Sequence, residues 1–135
     1  VTMAKSWEKY GIHALETVYP IVGPGFESIQ NIGDKNRNIV HLKHSKGIDI
    51  NIANINDMLG GFGLISLMGT KSGIQIKSTD TYYAFKKQLQ SYVNYLQTGH
   101  KPVPWNETYE LMQLVSAGIE SREKDGMKIT LNKDN

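Results

Sequence analysis

Four side chains in one short stretch, Lys9, Tyr10, His13 and Glu16, have the types and spacing for proton chemistry on a hydroxyl. An imidazole, with an ordinary pKa of about 6.5, takes or gives a proton near neutrality. Residues three and four apart are neighbours on a helix, so Lys9 stands one turn before His13 and Glu16 one turn after it. A carboxylate placed there holds the orientation of the ring. An ammonium polarises a nearby oxygen, and the Tyr10 hydroxyl is a further donor on the same side. The same spacing also describes an ordinary exposed histidine–glutamate pair, which stabilises a helix by a few tenths of a kcal/mol, roughly, and does no chemistry.

The other chemically suggestive residues carry less. His41 and His44 lie three apart in a strand-like segment, on opposite faces, a spacing that does not converge on a metal; both read as surface residues. His100 follows Gly99 in a loop. The chain has no cysteine, which excludes disulfides and thiolate metal sites. Gly60-Gly61-Phe62-Gly63 and Gly69-Thr70-Lys71-Ser72-Gly73 are rich in glycine but open no helix, so they read as turns and not as phosphate loops. Trp7, Tyr82, Tyr83 and Trp105 are scattered. With 15 lysines and arginines against 13 acidic residues, nothing points to nucleic acid. No apolar run approaches the roughly 20 residues of a membrane span, and no secretory signal pattern opens the chain. Neither a metal, a nucleic acid nor a membrane is expected.

The elements that must position the cluster follow from periodicity. Tyr10, His13, Glu16 and Thr17 share one side of a helix, with Ile12, Leu15 and Tyr19 as the adjacent apolar stripe. Pro20 should end or kink that helix, and Gly23-Pro24-Gly25 turns the chain. Residues 27–32 read as a strand, 33–38 as a turn and 39–44 as a second strand, with Val40 and Leu42 facing one way and His41 and Lys43 the other. Ser45-Lys46-Gly47 predicts a tight hairpin with positive φ at Gly47. Ile48-Asp49-Ile50-Asn51-Ile52 alternates strictly, isoleucines to the core. A polar link over residues 54–61 precedes an apolar strand at 62–68, expected to be covered on both faces. After the turn at 69–73, residues 74–77 return antiparallel.

The period then lengthens. Asp80 is a plausible N-cap. Phe85, Leu89, Tyr92, Val93 and Leu96 form one helical stripe, which Gly99 stops. Lys101-Pro102-Val103-Pro104 is an extended connector. Asn106 is expected to cap a last helix buried through Leu111, Met112, Val115 and Ile119, with Leu114 at the margin. Gly126 ends a turn, and Met127, Ile129 and Leu131 alternate in a final strand. Helix, five strands, two helices and one strand joined by short turns predict an α+β fold: a largely antiparallel open sheet with helices packed on one face. The other face carries His41, Lys43, Asp49 and Asn51 and suits water or a partner subunit. At 135 residues the chain fits one ordinary domain.

Gly11-Ile12-His13-Ala14-Leu15-Glu16 resembles the G-x-H-x-x-D/E segment that opens the C-terminal domain of the glucose–fructose oxidoreductase / inositol dehydrogenase (Gfo/Idh/MocA) family. Further landmarks follow in the family's order. Gly47 resembles its hairpin glycine, and Gly69 to Gly73 its glycine-bounded turn after an apolar strand. Gly99-His100-Lys101-Pro102-Val103-Pro104 resembles the linker before its last helix. Ala117-Gly118-Ile119-Glu120-Ser121 with Gly126 and Ile129 resembles its ending. The resemblance spans nearly the whole chain.

The resemblance implies an enzyme of two domains, in which a Rossmann domain binds NAD or NADP and an α+β domain shapes the substrate pocket and forms oligomers through its open sheet. The family's G-x-G-x-x-G and E-K-P motifs lie in the first domain, and this sequence has neither. Residues 1–135 are thus expected to be the substrate-binding and oligomerisation domain of a sugar or cyclitol oxidoreductase, not catalytic alone and apart from its N-terminal Rossmann domain. His13 matches the catalytic histidine, and Lys9, Tyr10 and Glu16 line the substrate side. Lys9 departs from the pattern: polyol dehydrogenases of the family often carry aspartate four before the histidine, and a charged lysine cannot accept a proton from imidazole. The reading from another class is a free-standing α+β binding or assembly module without chemistry.

Overall fold

The computed structural model describes residues 1–59, 63–77 and 79–131. Its elements are β1 (Thr2–Ala4), α1 (Trp7–Val22), β2 (Phe26–Asn31), β3 (Arg37–His44), β4 (Asp49–Ile55), β5 (Leu64–Met68), β6 (Gly73–Lys77), α2 (Thr81–Thr98), α3 (Trp105–Glu123) and β7 (Ile129–Thr130). The strands form one seven-stranded sheet in the order β6-β5-β1-β4-β3-β2-β7. Every pairing is antiparallel except β1 with β4. The expected α+β fold with a largely antiparallel open sheet is therefore the observed one. β1, a three-residue strand before α1, is an addition to the predicted order. It is too short to show a period, and it pairs with residues 53–55, far away in the chain.

The centre of the sheet obeys the alternation read from the sequence. Register pairs His41 with Asn51 and Lys43 with Asp49 on one face, while Val40 pairs with Ile52 and Leu42 with Ile50 on the other. Val40, Leu42, Ile50 and Ile52 are buried with Ile29 under α1 and α3, each such side chain contributing about 1.5–3 kcal/mol by burial. Gly47 has φ 74° at the hairpin tip, as its turn requires. The parity that buries Val40 and Leu42 also buries Asn38 and His44. His44 is therefore a core residue, not the surface one expected. Ile48 lies outside β4 and is exposed. Asn54, read as part of a link, continues β4 and is fully buried.

α1 buries Trp7, Gly11, Ala14, Leu15, Val18, Tyr19 and Val22. Ile12 is only partly buried at the margin, so the buried face is wider than the expected stripe and turned away from it. The helix runs two residues past Pro20 before Gly23, at φ 77°, ends it. The Trp7 indole lies across to α3. A Cβ at Gly11 would stand 2.7 Å from one ring carbon, and a Cβ at Gly118 would stand 2.6 Å from the ring nitrogen. That nitrogen donates to the Val115 carbonyl at 2.9 Å. The close approach rotates α3: Leu111, Leu114, Ala117, Gly118 and Ser121 are buried, Met112 is exposed, and Val115 and Ile119 are partly covered. The absence of a side chain at Gly118 permits this, because the indole occupies the space a Cβ there would take. Pro104 precedes the first turn of α3 as its N-cap, and Asn106 lies inside the helix, not at the cap.

β5 and β6 hang from β1 through the pairing of Thr2 with Leu64. β5 is not covered on both faces: Met68 is 91 % exposed, and Ile74 and Ile76 of β6 are exposed. Phe62, Gly60 and Gly61 lie outside the described residues. Asp80 caps α2 by accepting from the Tyr83 amide at 2.8 Å, and Gly99 ends it at φ 72°. No residue of α2 is buried.

Candidate active site

α1 delivers the cluster that the sequence singles out. His13 Nδ1 lies 2.9 Å from Glu16 Oε2. A ring donating from Nδ1 to that carboxylate keeps the Nε2 lone pair for a substrate hydroxyl. The Tyr10 ring meets the imidazole edge-on, centroids 5.1 Å apart. Thr17 Oγ1 donates back to the His13 carbonyl at 2.8 Å. About half of the side-chain surface of His13 and of Glu16 is open to solvent, 50 % and 53 %. Lys9 is exposed one turn earlier, and among the described residues its side chain makes no ion pair. The structure thus joins His13, Glu16 and Tyr10 directly and leaves Lys9 beside them with its ammonium uncommitted. The carboxylate that orients the imidazole is Glu16, not a residue at position 9.

Both ends of α1 are fixed from far away in the chain. At its start, Arg122 of α3 is almost fully buried and bonds the Glu8 carboxylate while donating to Asn38 Oδ1 at 2.9 Å. Burial disfavours the charged Glu8, but the hydrogen bond and charge of Arg122, with backbone and Ser6 hydrogen bonds, outweigh it and hold this carboxyl below its ordinary value. At its end, Lys46 from the β3–β4 hairpin donates to the Val22 carbonyl at 2.5 Å, a cation at the negative pole of the helix. His44 Nε2 lies 3.3 Å from the Gly23 carbonyl, and its Nδ1 accepts from the Lys46 amide at 3.1 Å.

Glu110 is the positioning residue that sequence reasoning missed. One carboxylate oxygen accepts from the amides of Gly25 and Phe26 at 2.9 and 3.0 Å, and the other accepts the Tyr19 hydroxyl at 2.9 Å. Burial first, and then this carboxylate, push the Tyr19 phenol upwards. Glu110 thereby ties the α1–β2 turn to α3. The family-like ending has an equally concrete job. Ser121 Oγ accepts from the Asn31 amide at 2.8 Å and donates to the Met127 carbonyl at 2.6 Å, and Gly126, at φ 77°, donates to the Ser121 carbonyl.

The remaining sequence candidates stay apart from His13. On the open face, His41 Nδ1 meets Asn51 Oδ1 at 2.9 Å and its Nε2 meets Asp49 at 3.1 Å, while Lys43 reaches Asp49 at 2.5 Å. Lys43 first, with His41, lowers the Asp49 carboxyl. His100 is exposed. Gly69 and Gly73 bound a turn between antiparallel strands. Among the described residues no group of three histidines and carboxylates is arranged to hold a metal, and no helix is long and apolar enough to cross a membrane.

No protein-family model and no curated protein matches this sequence. Solved structures do. The myo-inositol dehydrogenase of Lactobacillus casei, in complex with NAD(H) and myo-inositol, superposes with a TM-score of 0.78 at 14 % identity, over 99 % of this chain and 53 % of that one. A myo-inositol dehydrogenase of Corynebacterium glutamicum gives 0.74 at 19 % identity, over 97 % of this chain and 54 % of that one. The chain spans about half the length of these structures, and at such identities the likeness is one of fold. That fold is the C-terminal domain of inositol dehydrogenase-like proteins, the architecture the resemblance implied.

Proposed function

We propose that this chain is the substrate-binding half of an NAD(P)-dependent oxidoreductase acting on a sugar or cyclitol, with His13 as its acid–base group. The observation that carries the reading is the His13–Glu16 pair, half open to solvent, on α1 of a fold shared with half of two inositol dehydrogenases. The chain's own contribution is the proton. Glu16 fixes the ring, and Nε2 takes the proton of a substrate hydroxyl as the carbon beneath it is oxidised. Lys9 and Tyr10 flank that position and bond neighbouring hydroxyls, which a polyol supplies and a simple alcohol does not.

The described residues do not fit NAD or NADP. None of α1, α2 and α3 opens on a glycine-rich turn, the arrangement that presents backbone amides to a pyrophosphate. The nucleotide is therefore assigned to an N-terminal Rossmann domain that would partner this chain. The open sheet face of Ile39, His41, Lys43, Asp49 and Asn51 is the proposed homodimer surface. Its test is sedimentation, where a strict monomer at high concentration removes it.

The decisive experiment measures NAD and NADP reduction by the product of the complete gene against a panel of cyclitols and sugars. His13→Ala is expected to lower turnover by roughly a hundredfold or more with an unchanged melting temperature. Failure of both coenzymes with every substrate, or full turnover by His13→Ala, overturns the assignment. The uncovered apolar face of α2 supports the same reading, because a half separated from its nucleotide-binding partner exposes the surface on which that partner packs, whereas a free-standing module has no such face to explain.

A further inference from the structure

Three polar atoms in the core have no hydrogen-bond partner among the described residues: Asn38 Nδ2, Asn54 Nδ2 and Asn54 Oδ1. Asn38 of β3 and Asn54 of β4 are both fully buried. They are register partners across the ladder and share the parity of Val40 and Ile52, the side of the sheet that packs under α1 and α3. Turning the Asn38 amide round does not relieve it. Its Oδ1 already accepts from Arg122 at 2.9 Å and from Asn31 Nδ2 at 3.0 Å, so its Nδ2 remains a donor in need of an acceptor. Asn54 has both ends unpaired whichever way its amide is turned. The neighbouring polar groups are engaged. Asn31 Nδ2 also donates to the Gly118 carbonyl, Asn31 Oδ1 accepts from the Gly33 amide, and Arg122 holds the Glu8 carboxylate.

We infer that Asn38 and Asn54 bind an internal water molecule between β3 and β4, which completes a polar network running from the centre of the sheet through Arg122 to Glu8 in the first turn of α1. The unpaired atoms select the occupant. Donors and an acceptor stand together, and water both accepts and donates. An anion suits the two amide donors but meets Asn54 Oδ1, and the charge of Arg122 is already neutralised by Glu8. A metal ion needs several lone pairs, and Asn54 Oδ1 is the one acceptor left unpaired here. The spacing suits a single molecule. Opposite residues of an antiparallel pair hold their Cβ atoms roughly 4.5–5.5 Å apart, and two hydrogen bonds of about 2.9 Å through one water span such a gap. The energetics point the same way. Three buried polar atoms left unpaired would consume a large part of the marginal stability of a domain, whereas a bridging water forfeits only its freedom of movement. Both asparagines are covered within this chain alone, so the site needs no partner to close it. The inference goes beyond the oxidoreductase reading and does not depend on it.

A crystal structure of the protein at near-atomic resolution is the direct test. One ordered water is expected within hydrogen-bond distance of Asn38 Nδ2 and of an Asn54 amide atom, with a temperature factor like those of its neighbours. A direct Asn38–Asn54 hydrogen bond with no density between the two overturns the inference, and so does an ion in that place, recognised by anomalous scattering. A matched pair of variants carries the question into solution. Asn54→Thr and Asn54→Val have nearly the same shape and differ by one hydroxyl. At a hydrated site that hydroxyl keeps a bond to the water, and the threonine variant should have the larger folding equilibrium constant in urea denaturation, by roughly fivefold to tenfold. At a dry site the order reverses, because an unpaired buried hydroxyl is costly and a methyl is not. A valine variant as stable as the threonine variant, or more so, therefore overturns hydration. The crystallographic test uses the wild-type protein and needs neither variant to fold.

Discussion

α1 and α2 are both amphipathic helices with apolar stripes, yet one is the most buried helix of the molecule and the other has no buried residue. The difference lies in what the rest of the chain offers each stripe. α1 faces β1, β4 and α3, and it contains Gly11 so that its own Trp7 can lie flat and reach Gly118. It is also pinned at both ends, by Arg122 to Glu8 and by Lys46 to Val22. α2 stands between an outlying hairpin and a proline-containing connector, and no surface among the described residues buries any of its side chains. The helix that carries the His13–Glu16 pair is built into the core, and the other leaves its stripe uncovered.

The contrast is broken most severely at Trp7. Trp7→Ala removes the side chain that fills the space between α1 and α3 and should cost about 3–5 kcal/mol of unfolding free energy, measured by urea denaturation. Gly118→Ala attacks the same contact from the other side. Its new methyl would stand 2.6 Å from the indole nitrogen, and a loss of about 1–3 kcal/mol is expected from overpacking. If either variant melts like the wild type, the Trp7 contact is not what anchors α1.

Next in size is Glu110. Its carboxylate accepts from two amides and a phenol, and Glu110→Ala leaves all three without that acceptor. A loss of about 2–3 kcal/mol follows from hydrogen bonds to a charged group. Glu110→Gln keeps one acceptor oxygen and should recover part of it. Equal losses in the two variants would mean that packing, and not hydrogen bonding, makes the contribution.

How the sequence reveals such residues depends on whether their partners are near in the chain. The strand alternation at 48–52, the glycine of the hairpin, the Asp80 cap and both amphipathic stripes are local patterns, and the sheet follows from them. The His13–Glu16 pair was legible for the same reason, since one helical turn brings the two together. Glu110 was not, because its partners are backbone amides that only the tertiary fold brings near. β1 is too short for a period. The face that α3 buries depends on Gly118, whose smallness a search for large apolar residues passes over. His44 was within reach, because it shares the parity of Val40 and Leu42. The stripe of α2 was legible in full, but a stripe does not say what covers it.

A subtler change separates the start of α1 from the rest of the surface. The Glu8 carboxyl lies below its ordinary value, so its pairing with Arg122 stabilises the fold above the unfolded-state value. That stability disappears as the pH falls through the lower folded-state value. Asp34 and Asp49, whose carboxyls are also lowered, act with the same sign. The difference between the wild type and Glu8→Gln isolates the Glu8 part. The variant should be less stable near neutrality, and its stability should fall less steeply between about pH 4.5 and the acid transition. Parallel curves would show that Arg122 does not discriminate the charged from the neutral carboxyl.

The smallest effect is expected where the stripe looks strongest. Leu89 sits at the centre of the α2 stripe but is 63 % exposed, so in this chain by itself Leu89→Ser removes almost no burial. Its cost should stay within about 0.5 kcal/mol, as for surface substitutions generally, against several kcal/mol for Trp7→Ala. Hydrogen exchange gives the same comparison amide by amide. The amides of α1 should open only with global unfolding, and those of α2 by local fraying. A loss several times the surface figure of about 0.5 kcal/mol in that variant would mean that the stripe is already covered within this chain.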